Sequence, residues 1–170
     1  VTSTKTIVNA GAGNDSVEFA AITSSVSVVG GAGNDSFNFS AADWSTYATK
    51  HSGIKYYYGS GDGTDTLVIA QDEATGYTTP TTLTMSGFEN LEVTAALAGS
   101  LTTATLQAGI NEVILNDGVN TGQTITLEAG SKTVELEATT GASVGLTIAD
   151  TGSATTDSLT IERMPRLIAS

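Results

Sequence analysis

The chain has 170 residues, with no cysteine, one histidine and two prolines, and its six basic against eighteen acidic side chains leave a net charge of −12. A disulfide framework, a thiolate zinc site and a cysteine nucleophile are excluded, most nucleophilic triads go with them, and an acidic surface argues against nucleic acid and anionic membranes as partners. No apolar run reaches the roughly 18 residues of a transmembrane segment, and the start at Val1, without a visible signal peptide, reads as a fragment or processed piece.

The first element is a glycine-rich nonapeptide, Ala10-Gly11-Ala12-Gly13-Asn14-Asp15-Ser16-Val17-Glu18. It returns as Gly30-Gly31-Ala32-Gly33-Asn34-Asp35-Ser36-Phe37-Asn38, and more loosely as Ser60-Gly61-Asp62-Gly63-Thr64-Asp65-Thr66-Leu67-Val68. Between the first two copies lie the strand-like runs Val17 to Ala21 and Val26 to Val29, joined by the polar turn Thr23-Ser24-Ser25. Asp15 and Asp35 are 20 residues apart, the length of one coil of a two-sided β-solenoid, so the glycine loops are expected to stack in a column.

That arrangement suits calcium. The ion takes six to eight oxygens at roughly 2.3–2.6 Å, and a short loop offers that many only when its carbonyls turn inward, which glycine permits. Stacked strands lie about 4.8 Å apart, so an ion midway between two loops would sit about 2.4 Å from each and would staple neighbouring coils together.

From Asp35 to Asp65 the interval is 30 residues, ten more than one coil. The surplus falls in Ser40 to Tyr58, where Ser40 and Asp43 suggest a capping box, with Trp44, Tyr47, Ala48 and His51 following at helical spacing before Gly53. A short helix inserted near 40–53 is therefore expected, its aromatic face covering the solenoid.

The three copies resemble the calcium-binding repeat of RTX, or haemolysin-type, proteins, whose pattern is G-G-x-G-x-D-x-U-x. Ser86-Gly87-Phe88-Glu89-Asn90-Leu91-Glu92-Val93 resembles a G-φ-E-N-L-x-φ stretch that often follows such repeats, and RTX-containing bacterial surface-layer proteins carry it before a long Thr/Ala-rich β region. The resemblance covers about residues 9–93. It implies a parallel β-roll, export by type I secretion, and calcium ligands at Asp15, Asp35 and Asp65 and in the loops at Gly11, Gly13, Gly31, Gly33, Gly61 and Gly63, with Asn14, Asn34 and Asp62 completing the candidate set. Ala10 and Ser60 replace the pattern's first glycine, and the copies do not follow at nine-residue steps; one calcium column with a bare opposite edge is expected.

From Thr84 onward short strands recur: Leu91–Val93, Glu112–Leu115, Thr124–Leu127, Thr133–Leu136, Gly145–Ile148 and Ser158–Ile161, with a turn or two of helix in Leu101–Ala108. Thr124-Ile125-Thr126-Leu127 and Thr133-Val134-Glu135-Leu136 alternate polar and apolar, as half-buried strands do. The expectation is an all-β chain. Residues 1–80 form a calcium-binding β-roll and residues 81–170 a Thr-rich continuation of the solenoid, the alternative being a separate β-sandwich.

Little in the sequence suggests catalysis. His51 reads as a packing residue on the aromatic helix face, and the acidic residues fall in the glycine loops or on alternating strand faces instead of forming a glycosidase pair. Trp44, Tyr47, Tyr56, Tyr57 and Tyr58 read first as a lid and second as a sugar-stacking cluster. The chain is thus expected to be a non-enzymatic, calcium-dependent extracellular module at a bacterial cell surface, self-associating into a lattice or filament, with cell-surface polysaccharide as a further partner. The alternatives are an accessory module of a type I secreted enzyme or toxin, and an adhesin.

Overall fold

A computed structural model of the chain describes residues 6–19, 26–39, 55–59, 62–70, 83–97, 99–117, 119, 122–137, 146–150 and 158–164. The strands in chain order are β1 (Thr6–Ala12), β2 (Ser16–Glu18), β3 (Val26–Ala32), β4 (Ser36–Asn38), β5 (Lys55–Tyr58), β6 (Thr66–Ile69), β7 (Leu83–Ser86), β8 (Asn90–Val93) and β9 (Leu101–Thr102). A single helical turn, α1 (Thr103–Leu106), precedes β10 (Glu112–Leu115), β11 (Gln123–Leu127), β12 (Ser131–Glu137), β13 (Leu146–Asp150) and β14 (Ser158–Met164).

Successive strands alternate between two sides, and each pairs with the strand one coil away. One side is a seven-stranded sheet in the order β2-β4-β6-β8-β10-β12-β14; the other carries β1-β3-β5-β7 and then β9-β11-β13. Every pairing among these strands is parallel. The architecture is a parallel β-solenoid, and the seven-stranded sheet passes without a break from β6 to β8, across the point where the sequence suggested a division.

Parallel stacking in register converts a recurring apolar position into a ladder. Val17, Phe37, Leu67, Leu91, Val113, Val134 and Ile161 are neighbours in turn along the seven-stranded sheet. The members from Phe37 to Val134 are almost wholly buried, because a coil covers them on each side. Phe19 stacks on Phe39 with centroids 4.1 Å apart, and Phe37 meets Phe88 edge-on at 5.1 Å. Burial of this ladder, non-directional and proportional to area, is the main stabilising term.

Among the described residues, the first and last strands of the solenoid carry exposed apolar side chains. Val8 faces the interior in register with Val28, yet it is 37% exposed, and Leu159 and Ile161 on β14 are 46% and 58% exposed.

Several sequence expectations shift by a few residues. β3 does not stop at Val29; it runs through Gly30 and Gly31 to Ala32, because glycine backbone still pairs with the neighbouring coil. In Leu101–Ala108 the helix is limited to α1, preceded by a two-residue strand. The insertion near 40–53, with Trp44, Tyr47 and His51, lies outside the described residues.

Phe37→Ala should cost about 3–5 kcal/mol, the usual range for emptying a buried aromatic position, because Phe37 is fully buried between two rungs and touches Phe19 and Phe88. Urea unfolding of the variant against the parent checks this.

Candidate metal-binding column

The register of the seven-stranded sheet also aligns the residue that enters each strand. Ser16, Ser36, Thr66, Asn90, Glu112, Thr133 and Thr160 are successive neighbours, so the residues before them share one corner: Asp15, Asp35, Asp65, Glu89, Asn111, Lys132 and Leu159. Each stands two residues before the apolar ladder; Asp35, Asp65 and Lys132 are buried there, whereas Asn111 and Leu159 are exposed. The three aspartates of the repeats meet at this corner, and Glu89, which the repeat spacing does not reveal, is their fourth companion.

The carboxylates are bound to one another through backbone. The Asp15 N–H donates to Asp35 Oδ1 at 2.9 Å, the Asp35 N–H to Asp65 Oδ1 at 2.8 Å, and the Asp65 N–H to Glu89 Oε2 at 2.9 Å. Glu89 takes the aspartate role across a shorter corner. Asp35 and Asp65 are 1% and 2% exposed, so these are buried acids.

One oxygen of Asp35 and one of Asp65 are thus engaged, and the second oxygen is the informative one. Asp15 Oδ2 and Asp35 Oδ2 are buried and have no hydrogen-bond partner. A buried, unpaired carboxylate oxygen is costly, and buried charges are ordinarily paired or bound to a metal.

The surroundings of the Asp35 oxygen are specific. The point where a Cβ on Gly30 would stand lies 2.2 Å from Asp35 Oδ2 and 2.9 Å from the Gly59 carbonyl oxygen. One coil on, the matching point above Gly59 lies 2.8 Å from Asp65 Oδ2 and 2.3 Å from the Gly87 carbonyl oxygen. Neither Gly30 nor Gly59 has positive φ, so glycine is required there for space and not for conformation. In both places a carboxylate and a carbonyl converge; the Gly59 carbonyl also takes a long contact from the Gly31 N–H at 3.4 Å. Oxygens approaching from two coils are a donor set suited to a hard divalent cation. Ala10 holds the register position of Gly30 in the first coil.

The remaining candidate residues divide by role. Asn14 Oδ1 accepts from the Asn34 N–H at 2.9 Å and Asn34 Oδ1 from the Thr64 N–H at 3.0 Å, so these amides form a hydrogen-bonded ladder beside the carboxylates. The Asp62 carbonyl accepts from the Gly33 N–H at 2.7 Å, and Asp62 itself is exposed. Gly11, Gly13, Gly31, Gly33 and Gly63 have positive φ. Gly33 and Gly63 also admit the Gly13 and Gly33 carbonyl oxygens from the coil before, at 2.3 and 2.2 Å from the place of a Cβ. Gly61 lies outside the described residues. The loop glycines therefore let coils approach closely, while Gly30, Gly59 and Gly87 frame the oxygens; the sequence reading named only the former. Among the described residues no three acidic or imidazole side chains converge on one point, so carbonyl oxygens are needed to complete any cation site.

Burial pushes the Asp65 carboxyl above its ordinary value; the Asp35 backbone hydrogen bond opposes this, and the charges of Asp35 and Glu89 add to it. On the outward face, burial likewise raises Glu112, helped by Glu135 and Glu162. That second group contains no buried unpartnered oxygen among the described residues.

Comparison with protein-family models, with curated proteins and with solved structures finds no match.

Gly30→Ala should destabilise the protein by about 1–3 kcal/mol, the cost of overpacking, because its methyl would strike Asp35 Oδ2 and the Gly59 carbonyl; urea unfolding measures the change. The Asp65 shift gives a pH test. In chelator the folded state holds the Asp65 proton more tightly than the unfolded chain, whose carboxyl titrates near 3.8. Stability should therefore rise as pH falls through the raised folded value and stop rising below the unfolded one. Thermal melts across the acidic range in chelator read the sign.

Proposed function

We propose that this chain is a calcium-dependent extracellular structural module, a β-solenoid whose corner column binds calcium between successive coils and which assembles at a bacterial surface as a layer or filament. The observation that carries the reading is the Asp35 carboxylate: it is buried, one oxygen lacks a partner, and that oxygen converges with the Gly59 carbonyl of the next coil. A cation there neutralises the column and bonds two coils at once. Calcium fits because all the donors are oxygen, and because millimolar extracellular calcium saturates even weak sites. The RTX-like spacing of the glycine loops supports the same ion. A net charge of −12 supports it too, since bound divalent ions relieve self-repulsion.

The structural role rests on the architecture. Among the described residues, the first and last strands expose apolar side chains at Ile7, Val8, Leu159 and Ile161, a surface that more chain or a partner would cover. A specific observation favours a second reading, a calcium-folded accessory module within a longer secreted protein. Stacking two copies end to end in register would place Glu162 against Glu18 and Leu159 against Asp15, a like-charge and an apolar–acid mismatch. Assembly of copies would therefore proceed through the sides of the solenoid, whereas a longer chain would supply its own matching coil.

Removing calcium with EGTA should abolish the β-sheet circular dichroism of the N-terminal coils and lower the thermal midpoint, and adding calcium should restore both. Electron microscopy of the calcium-loaded protein should show sheets or filaments. A calcium-folded monomer that never assembles would favour the accessory module, and a fold indifferent to EGTA would contradict both.

A further inference from the structure

The corner column does not end with its acids. Reading along it, the side chains run carboxylate at Asp15, Asp35, Asp65 and Glu89, carboxamide at Asn111, ammonium at Lys132 and aliphatic at Leu159. Lys132 is 8% exposed, an unusual burial for lysine. Its Nζ donates to the Ile110 carbonyl at 2.7 Å and to Asn111 Oδ1 at 3.1 Å. Both acceptors belong to the preceding coil. Lys132 therefore reaches back one rung with a positive charge and binds a carbonyl and a side-chain oxygen. Where the aspartates stand, Asp35 Oδ2 converges with the Gly59 carbonyl and itself has no donor, while the carbonyl takes only the long contact from the Gly31 N–H. Between the two regimes, Gln107 pairs with the backbone of Phe88, accepting from its N–H at 3.3 Å and donating to its carbonyl. A neutral amide thus satisfies the transition.

We propose that the column changes counter-ion along its length: divalent cations serve the rungs from Asp35 to Glu89, and the Lys132 ammonium serves the rungs beyond, so that the C-terminal coils hold together without metal. This rests on the calcium reading and adds to it a division of the molecule. The solenoid is one continuous sheet with two chemically distinct halves, one conditional on calcium and one permanently cross-linked by its own side chain. In low calcium the C-terminal coils remain a folded template against which the N-terminal coils re-form when the ion returns.

Hydrogen–deuterium exchange on the full chain, with calcium and with EGTA, tests this. The amides of Asp15 and Asp35, which bond to Asp35 Oδ1 and Asp65 Oδ1, should lose protection on chelation. The amides of Asn111 and Thr133, which bond to the carbonyls of Glu89 and Asn111, should keep theirs. Lys132→Ala should reverse the pattern, exposing the Asn111 and Thr133 amides whether or not calcium is present, and Lys132→Arg, which keeps the charge, should restore most of the protection. Uniform loss along the chain with EGTA would overturn the division and leave the calcium reading standing. No loss anywhere with EGTA would overturn the calcium reading itself. Full protection at Asn111 and Thr133 in Lys132→Ala would remove lysine from the role assigned to it.

Discussion

A parallel solenoid obliges every coil to put its chemistry on top of the same chemistry in the coil before. For apolar residues that is an advantage, and the ladder from Phe37 to Val134 is the result. For acids it is a constraint. Unit charges about 4.8 Å apart repel by roughly 3 kcal/mol at an intermediate effective dielectric, and burial makes it worse. Asp15, Asp35, Asp65 and Glu89 occupy such a column, and the Asp65 carboxyl is raised above its ordinary value first by burial and further by the charges of Asp35 and Glu89. A stacked column in which Asp35 and Asp65 are buried sets acid against acid at successive rungs, and that is the constraint on the N-terminal coils.

The backbone amides meet part of it. Each column carboxylate from Asp35 to Glu89 accepts the N–H of the rung before it, and at Asp35 and Asp65 the second oxygen lies beside the glycine of its own coil, Gly30 and Gly59. The glycines meet another part by leaving room. At Gly33 a positive φ and the close Gly13 carbonyl both demand glycine, whereas at Gly30 only the space does. The asparagine ladder beside the column carries no charge, and it shows what the same corner does when ordinary hydrogen bonds suffice.

The solenoid was legible in the sequence because its period is written in chemistry-bearing residues. Asp-Ser-Val, Asp-Ser-Phe and Asp-Thr-Leu announce a corner, an outward residue and an inward one. The same triplet continues as Glu89-Asn90-Leu91, Asn111-Glu112-Val113, Lys132-Thr133-Val134 and Leu159-Thr160-Ile161, and this continuation is the signal that would have found Glu89 and Lys132. It was obscured because the corner residue changes type from acid to amide to base, and a search for repeated aspartate stops at Asp65. The framing role of Gly30, Gly59 and Gly87 was hidden for another reason. Gly59 aligns with Gly30 through strand pairing, one residue out of step with the motif spacing that puts Ser60 there. Which glycine lies beside which carboxylate is a property of the register, and motif spacing alone does not contain it.

Anomalous diffraction from crystals grown with a lanthanide in place of calcium tests the central claim most directly, since the ion's position is then read without reference to any variant. The account predicts a strong peak at the corner between the second and third coils, bonded to Asp35 Oδ2 and the Gly59 carbonyl, and another bonded to Asp65 Oδ2 and the Gly87 carbonyl. A well-ordered solenoid with no anomalous density at either corner, and with the metal confined to surface carboxylates such as Glu112 and Glu135, would contradict it.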